Sequence, residues 1–174
     1  MSTYLGAMAM GFASRGYKTA VIARSVAGRS PGGSEQLDKR QPRVAHTYIP
    51  IPGWNLVSVF WSGLRVILKE RPAFVLLGHW YPHAFVAPVW RMQTGTPYFV
   101  IVHGNELFPY HPNPVRRAGK HLVMRSLRHF LLKANGLLAN SEYTAGLLRS
   151  IGVPRERIAV AHPPVMPEFF GPVS

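Results

Sequence analysis

Cysteine is absent from the 174-residue chain, so it can form neither a disulfide framework nor a thiolate metal site. That is compatible with a reducing cytoplasm. Acids are scarce: seven carboxylates face twenty lysines and arginines, and Asp38 is the sole aspartate. This excludes most chemistry built on paired acids, including the two-carboxylate arrangement of glycosidases, and it excludes carboxylate-rich metal sites. No run approaches the roughly 20 apolar residues that span a bilayer. No basic residue precedes Arg15, so the apolar start MSTYLGAMAMGF lacks the n-region of a secretory signal and reads as part of a helix. There is no internal repeat and no low-complexity tract.

What is present is basic and apolar. Net charge is +13, and apolar residues make up 47% of the chain. The apolar share suits a packed globular protein. One domain of this length can bury about 70% of its unfolded surface. The charge should draw anionic partners: phosphate-bearing substrates, an acidic membrane surface or nucleic acid. Arginines outnumber lysines fifteen to five. Arginine can grip phosphate bidentately, and the same bias fits genomic base composition equally well.

Hydrophobic periodicity places the elements. Leu5, Met8 and Phe12 share a helical face that Arg15-Gly16 closes. Residues 19–23 form an apolar, β-rich run suited to a buried parallel strand. Residues 25–43 are polar and read as a loop. Residues 44–51 alternate, and Pro50 and Pro52 make them an edge strand at best. Residues 55–70 form a helix with Leu56, Val59, Phe60, Leu64, Ile67 and Leu68 on one face, stopped by Arg71-Pro72. A strand over 73–77, a helix over 82–92 kinked at Pro88 and a strand over 98–102 come next. A helix from 114 to 133 ends at Asn135-Gly136, which should cap it in left-handed geometry. A strand over 136–139, a Ser141-capped helix to 151 and a strand over 158–161 complete the pattern. Helices alternating with short buried strands predict an α/β, Rossmann-like fold. Its sheet is doubly wound and mainly parallel, with helices on both faces.

Three of these strands deliver polar residues at their carboxyl ends, the edge where open α/β sheets bind ligands. The run 98–102 ends in His103-Gly104-Asn105-Glu106, 136–139 in Asn140-Ser141-Glu142, and 158–161 in His162-Pro163-Pro164. Gly104 lets another molecule approach the backbone, and His103 can donate to a sugar hydroxyl or phosphate oxygen near neutral pH. A strand-end histidine can equally serve local hydrogen bonds alone. His79-Trp80 and His83 follow the preceding strand and read as packed residues. His79 and His103 as a metal pair lack an evident third ligand. Asn140 or Ser141 caps the next helix, and Glu142 suits its positive end. That helix end could also hold an anion, which Glu142 would weaken. In the helix before it, Arg116, Arg117, Lys120, Arg125, Arg128 and Lys133 lie mostly opposite Val115, Leu122, Val123, Leu127, Phe130 and Leu131. This is either a solvated basic face or a surface for anionic lipid, at about 1 kcal/mol per basic residue. Nucleic acid has no supporting RNP-like, helix-turn-helix or zinc signature, so charge alone would give only non-specific binding.

The ordered set TPYFVIVHGNE and GLLANSEYTAGLLRSIGVPRERIAVAHPPV resembles the N-terminal, acceptor-side domain of the retaining, GT-B-fold glycosyltransferases of family 4. The resemblance covers nearly all of residues 1–174. It implies transfer of a sugar from a nucleotide-sugar donor to a glycan or lipid-linked acceptor, with no cofactor. His103 matches the family's His-Gly pair, which implies a catalytic role facing the donor sugar and diphosphate. Gly104, Asn105 and Glu106 would bind substrate, with Glu106 facing the acceptor or orienting His103. His79 matches a common family histidine, and Asn140 and Ser141 lie in a run similar to the family's A-N-S-x-x-T. Several members act on lipid-linked acceptors. This fits membrane contact through Arg116, Arg117, Lys120, Arg125 and Arg128, and a cytoplasmic location, peripheral on the inner face of the membrane.

Two parts of the family pattern are missing: the opening strand with its glycine-rich turn, and the second, nucleotide-sugar-binding domain. The chain is therefore expected to be truncated at both ends and inactive alone. In the family's strand order the opening strand lies between those matching 19–23 and 73–77. The sheet should either close that gap or stay split and marginal, since each unpaired buried group costs about 1–3 kcal/mol. The rival reading is a non-catalytic basic α/β module that binds anionic membrane or nucleic acid.

Overall fold

In the computed structural model, residues 3–21, 44–46, 56–78, 83–104, 107, 125 and 127–162 are described. The chain divides into two units, Met1–Pro52 with Pro163–Ser174, and Gly53–His162. The first unit holds α1 (Thr3–Ser14), β1 (Thr19–Val21) and β2 (Val44–His46), with β1 and β2 parallel and Thr19 opposite Val44. Among the described side chains of α1, Ala9 and Ala13 are buried and Met8 and Phe12 are half-buried. Gly16 closes the helix at φ 85°, as expected of a residue without a Cβ.

The second unit carries α2 (Leu56–Glu70), β3 (Val75–Leu77), α3 (His83–Thr94), β4 (Tyr98–Val102), β5 (Gly136–Ala139) and β6 (Ile158–Val160). Between β4 and β5 lies α4, described over 127–133. Between β5 and β6 lie α5 (Glu142–Ser150) and a 3-10 turn at Arg155–Arg157. The sheet order is β3-β4-β5-β6, and every pair is parallel. Val100, Ile101 and Val102 have no exposed surface, which is why β4 is apolar on both faces. Parallel strands joined through helices give the expected α/β, Rossmann-like class. Among the described residues the first unit carries the two-stranded sheet β1-β2 and the second the four-stranded sheet β3-β4-β5-β6.

Helix α2 departs from its expected face. Val59, Gly63, Leu64 and Ile67 are buried, whereas Leu56 and Leu68 are exposed at 44% and 58%. The reason is a close approach to α3. A Cβ on Gly63 would sit 2.2 Å from the Trp90 ring, and Trp90 Nε1 donates to the Phe60 carbonyl at 3.0 Å. That contact sets the rotation of α2 and turns Leu68 to solvent. Helix α3 runs through Pro88, which forfeits one helical hydrogen bond.

The expected left-handed cap at Asn135-Gly136 is absent, since neither residue has positive φ. Asn135 instead pairs with the start of β4. Its N–H donates to the Tyr98 carbonyl at 2.9 Å, and its Oδ1 accepts from the Tyr98 N–H at 3.2 Å. Gly136 is required for space, because a Cβ there would lie 2.9 Å from the Phe99 ring. Tyr98 is 2% exposed and donates its hydroxyl to the Phe130 carbonyl at 3.1 Å. Burial pushes the phenol up to about 12, with Arg91 partly opposing.

Candidate functional site at the carboxyl edge of the sheet

Strands β4 and β5 end in register, with Val102 opposite Ala139, so the residues that follow leave the sheet side by side. The Asn140 N–H extends the ladder by donating to the Val102 carbonyl at 3.2 Å. Its side chain reaches one residue further, with Nδ2 donating to the His103 carbonyl at 3.3 Å. His103 is half-buried. Gly104 is buried and turns at φ 94°, a conformation that suits glycine. The turn is closed by Leu107, whose N–H donates to the Gly104 carbonyl at 2.9 Å.

Helix α5 starts against this turn. Ser141 is its N-cap, extended at φ −160° and ψ 161°, and its Oγ accepts from the Thr144 N–H at 3.2 Å. Of the two residues that could have capped the helix, Ser141 therefore does so, and Asn140 is released to hold the β4 turn. Glu142 is exposed in the first turn, where the helix dipole favours a carboxylate.

The structure thus brings His103, Gly104, Asn140 and Ser141 together. His79, Asn105 and Glu106 lie outside the described residues. Among the described residues no three His, Asp or Glu side chains cluster as metal ligands. Thr144 belongs to the network as well. It is 1% exposed, donates Oγ1 to Asn140 Oδ1 at 2.7 Å and accepts from Ser141 Oγ at 3.1 Å. It stands in the A-N-S-x-x-T run, but a threonine in the first turn of a helix carries no mark of burial in the sequence. The arrangement sets a buried, positive-φ glycine beside a half-buried histidine where two strands end.

On α4, Arg125 and Arg128 are exposed while Leu127 and Leu131 are buried, so the two-faced character holds over the described turn. Arg116, Arg117 and Lys120 lie outside the described residues. A shallow cleft of about 230 Å³ runs between α5 and β6, lined by Glu142, Ala145, Arg149, Arg155, Ile158 and Val160. None of the residues of the His103 network lines it.

Comparison with known proteins supplies the context. The family model described as Glycosyltransferase Family 4 matches residues 1–169. No curated protein matches the sequence. Similar solved structures include UDP-N-acetylglucosamine 2-epimerase from Rickettsia bellii, at 14% identity and TM-score 0.61, covering 94% of this chain and 43% of that one. They also include Anabaena HepE in complex with UDP-glucose, at 11% identity and TM-score 0.64, covering 94% of this chain and 41% of that one. HepE in complex with UDP and glucose is similar at 11% identity and TM-score 0.63, over 95% of this chain and 41% of that one. At such identities the likeness establishes the fold alone. The chain spans about two-fifths of the length of these structures.

Proposed function

The chain belongs to glycosyltransferase family 4, and from that premise we propose that it forms the acceptor-side wall of a retaining glycosyltransferase. The enzyme would move a sugar from a nucleotide-sugar to a hydroxyl of a glycan or lipid-linked acceptor. One observation carries the reading: the His103-Gly104 turn leaves the carboxyl edge of the sheet and is bonded to Asn140, the residue after the neighbouring strand. His103 would donate to the donor sugar or to the diphosphate as charge develops on the leaving group. A fixed donor aimed at that charge accelerates transfer because it acts most strongly in the transition state. Gly104 supplies the positive φ that turns the chain directly after His103. The UDP and UDP-glucose held by HepE support a nucleotide-sugar donor. The opposite wall, with most donor contacts, would come from a second domain. The 174 residues alone would then be inactive, since catalysis needs both walls positioned. In a two-domain protein carrying this chain, His103→Ala should lower transfer by roughly tenfold or more, the order expected when an electrostatic donor is lost. Undiminished transfer would contradict the reading.

The same proposal places the enzyme on the inner face of the membrane, held peripherally through Arg125 and Arg128 together with Arg116, Arg117 and Lys120. Exposure of Arg125 and Arg128 supports it. So does α2, where Val57, Trp61 and Leu68 are exposed at 66%, 54% and 58% beside exposed Arg65 and Lys69. Tryptophan and basic residues together suit the interface of an anionic bilayer. No helix among the described residues is long and apolar enough to cross a membrane. Binding to anionic vesicles should exceed binding to neutral ones and fade with salt, as the Debye length falls from about 10 Å at 0.1 M to about 3 Å at 1 M. Equal binding to both, or none to either, removes the membrane contact. Oligonucleotide binding without nucleotide-sugar binding would favour the basic-module alternative.

A further inference from the structure

Thr144 is too buried to touch a ligand, at 1% exposed, yet its side chain carries a hydroxyl. A buried hydroxyl costs free energy unless it is hydrogen-bonded, and here its bonds run in one direction. Ser141 Oγ donates to Thr144 Oγ1 at 3.1 Å and lies a longer 3.4 Å from Asn140 Oδ1, Thr144 Oγ1 donates to Asn140 Oδ1 at 2.7 Å, and Asn140 Nδ2 donates to the His103 carbonyl at 3.3 Å. Each donor in such a chain polarises the next. The chain also fixes which way the Asn140 amide points. Rotated by half a turn, the amide would set its oxygen against the His103 carbonyl, two acceptors with no proton between them. Thr144 meets the same turn a second time, because a Cβ on Gly104 would lie 3.0 Å from Thr144 Oγ1. One hydroxyl therefore stands against Gly104 directly and reaches His103 through Asn140.

We propose that Thr144 is a positioning residue: its hydroxyl locks the Asn140 amide and through it the His103-Gly104 turn, so that the ligand edge is set from inside α5. The hydroxyl matters, and the bulk does not. Thr144→Val keeps the shape and removes the hydroxyl, whereas Thr144→Ser keeps the hydroxyl. The positioning role rests on the reading of His103 as a ligand-facing residue, while the lock itself can be measured without any ligand.

The test is site-resolved amide hydrogen exchange on the 174-residue chain. Thr144→Val should raise exchange of the Leu107 amide, which closes on Gly104, by roughly tenfold, about the worth of one neutral hydrogen bond. Thr144→Ser should restore it, and the Ile101 and Leu138 amides in mid-sheet should not change. Unchanged Leu107 exchange in Thr144→Val overturns the lock. A rise spread equally over Ile101 and Leu138 overturns it too, since that is general destabilisation. Titration of a two-domain protein carrying this chain with a panel of nucleotide-sugars then separates this inference from the functional one. If that protein binds one of them and His103→Ala weakens binding, Thr144→Val should weaken it by a similar factor and add nothing on top of His103→Ala. Full affinity in Thr144→Val would then sink the positioning role and leave the site standing. Equal affinity of wild type and His103→Ala, or no binding by either, would sink the site reading and the positioning role with it, whatever the exchange shows.

Discussion

Two asparagines bracket β5, and both hold β4, but they do different work. Asn135, before the strand, exchanges two hydrogen bonds with the backbone of a single residue, Tyr98. Around it, Arg91 and Arg157 donate to the carbonyls of Lys133 and Leu132 at the end of α4, at 2.9 and 3.0 Å. Polar groups at this amino edge are spent on main-chain atoms. Asn140, after the strand, continues the ladder with its backbone but gives its side chain to a chain of hydroxyls and to the residue beside Gly104. The amino edge is built to close the sheet. The carboxyl edge gathers side chains around a turn, as expected where open α/β sheets bind ligands.

The two glycines at these edges should break differently. Gly104→Ala forces a Cβ into a positive-φ position and within 3.0 Å of the Thr144 hydroxyl. Backbone strain of this kind costs about 1–3 kcal/mol. Located at the proposed site, it should lower transfer roughly tenfold to a hundredfold in a two-domain protein, again an order set by that strain. Gly136→Ala meets the Phe99 ring instead. It should lower stability by about 1–3 kcal/mol, the usual cost of overpacking, with transfer per folded molecule unchanged. Urea titration and initial rates on the same samples would measure both. Equal loss of activity in the two variants would erase the distinction between the edges.

A smaller effect sharpens the account of the amino edge. The Tyr98 phenol is raised from 10.0 to about 12 by burial, so the folded state keeps a proton that the unfolded chain gives up. The contribution is full below about pH 10 and is lost as pH rises toward about 12. Unfolding measured across that window should show stability declining with pH, and Tyr98→Phe should flatten the part of the slope that belongs to this residue. An unaltered slope in Tyr98→Phe would show that the phenol titrates normally.

Much of the fold could be read from the chain because its signals are local. The run 98–102 is apolar at every position because β4 is buried on both faces. Gly16 ends α1, and Ser141 caps α5, as their residue types require. What could not be read depends on partners distant in sequence. Asn135-Gly136 has the composition of a left-handed cap, but its glycine answers to Phe99 across the sheet and its asparagine to Tyr98. Leu68 fits an apolar helical face, yet the contact of Gly63 with Trp90 turns α2 away from it. The site divides in the same way. His103, Gly104 and Asn140 announce themselves at strand ends, whereas Thr144 shows its importance only through burial and through atoms brought from β4.

The central claim is that the carboxyl edge carries chemistry and the amino edge carries stability. The most direct test compares His103→Ala with Asn135→Ala in a two-domain protein, measuring sugar transfer per folded molecule alongside thermal unfolding. His103→Ala should lose roughly tenfold or more in transfer with little change in unfolding. Asn135→Ala should lose about 1–3 kcal/mol of stability, from the Tyr98 N–H left unpaired, and keep its transfer rate. A His103→Ala protein that transfers sugar as fast as the wild type would contradict the account.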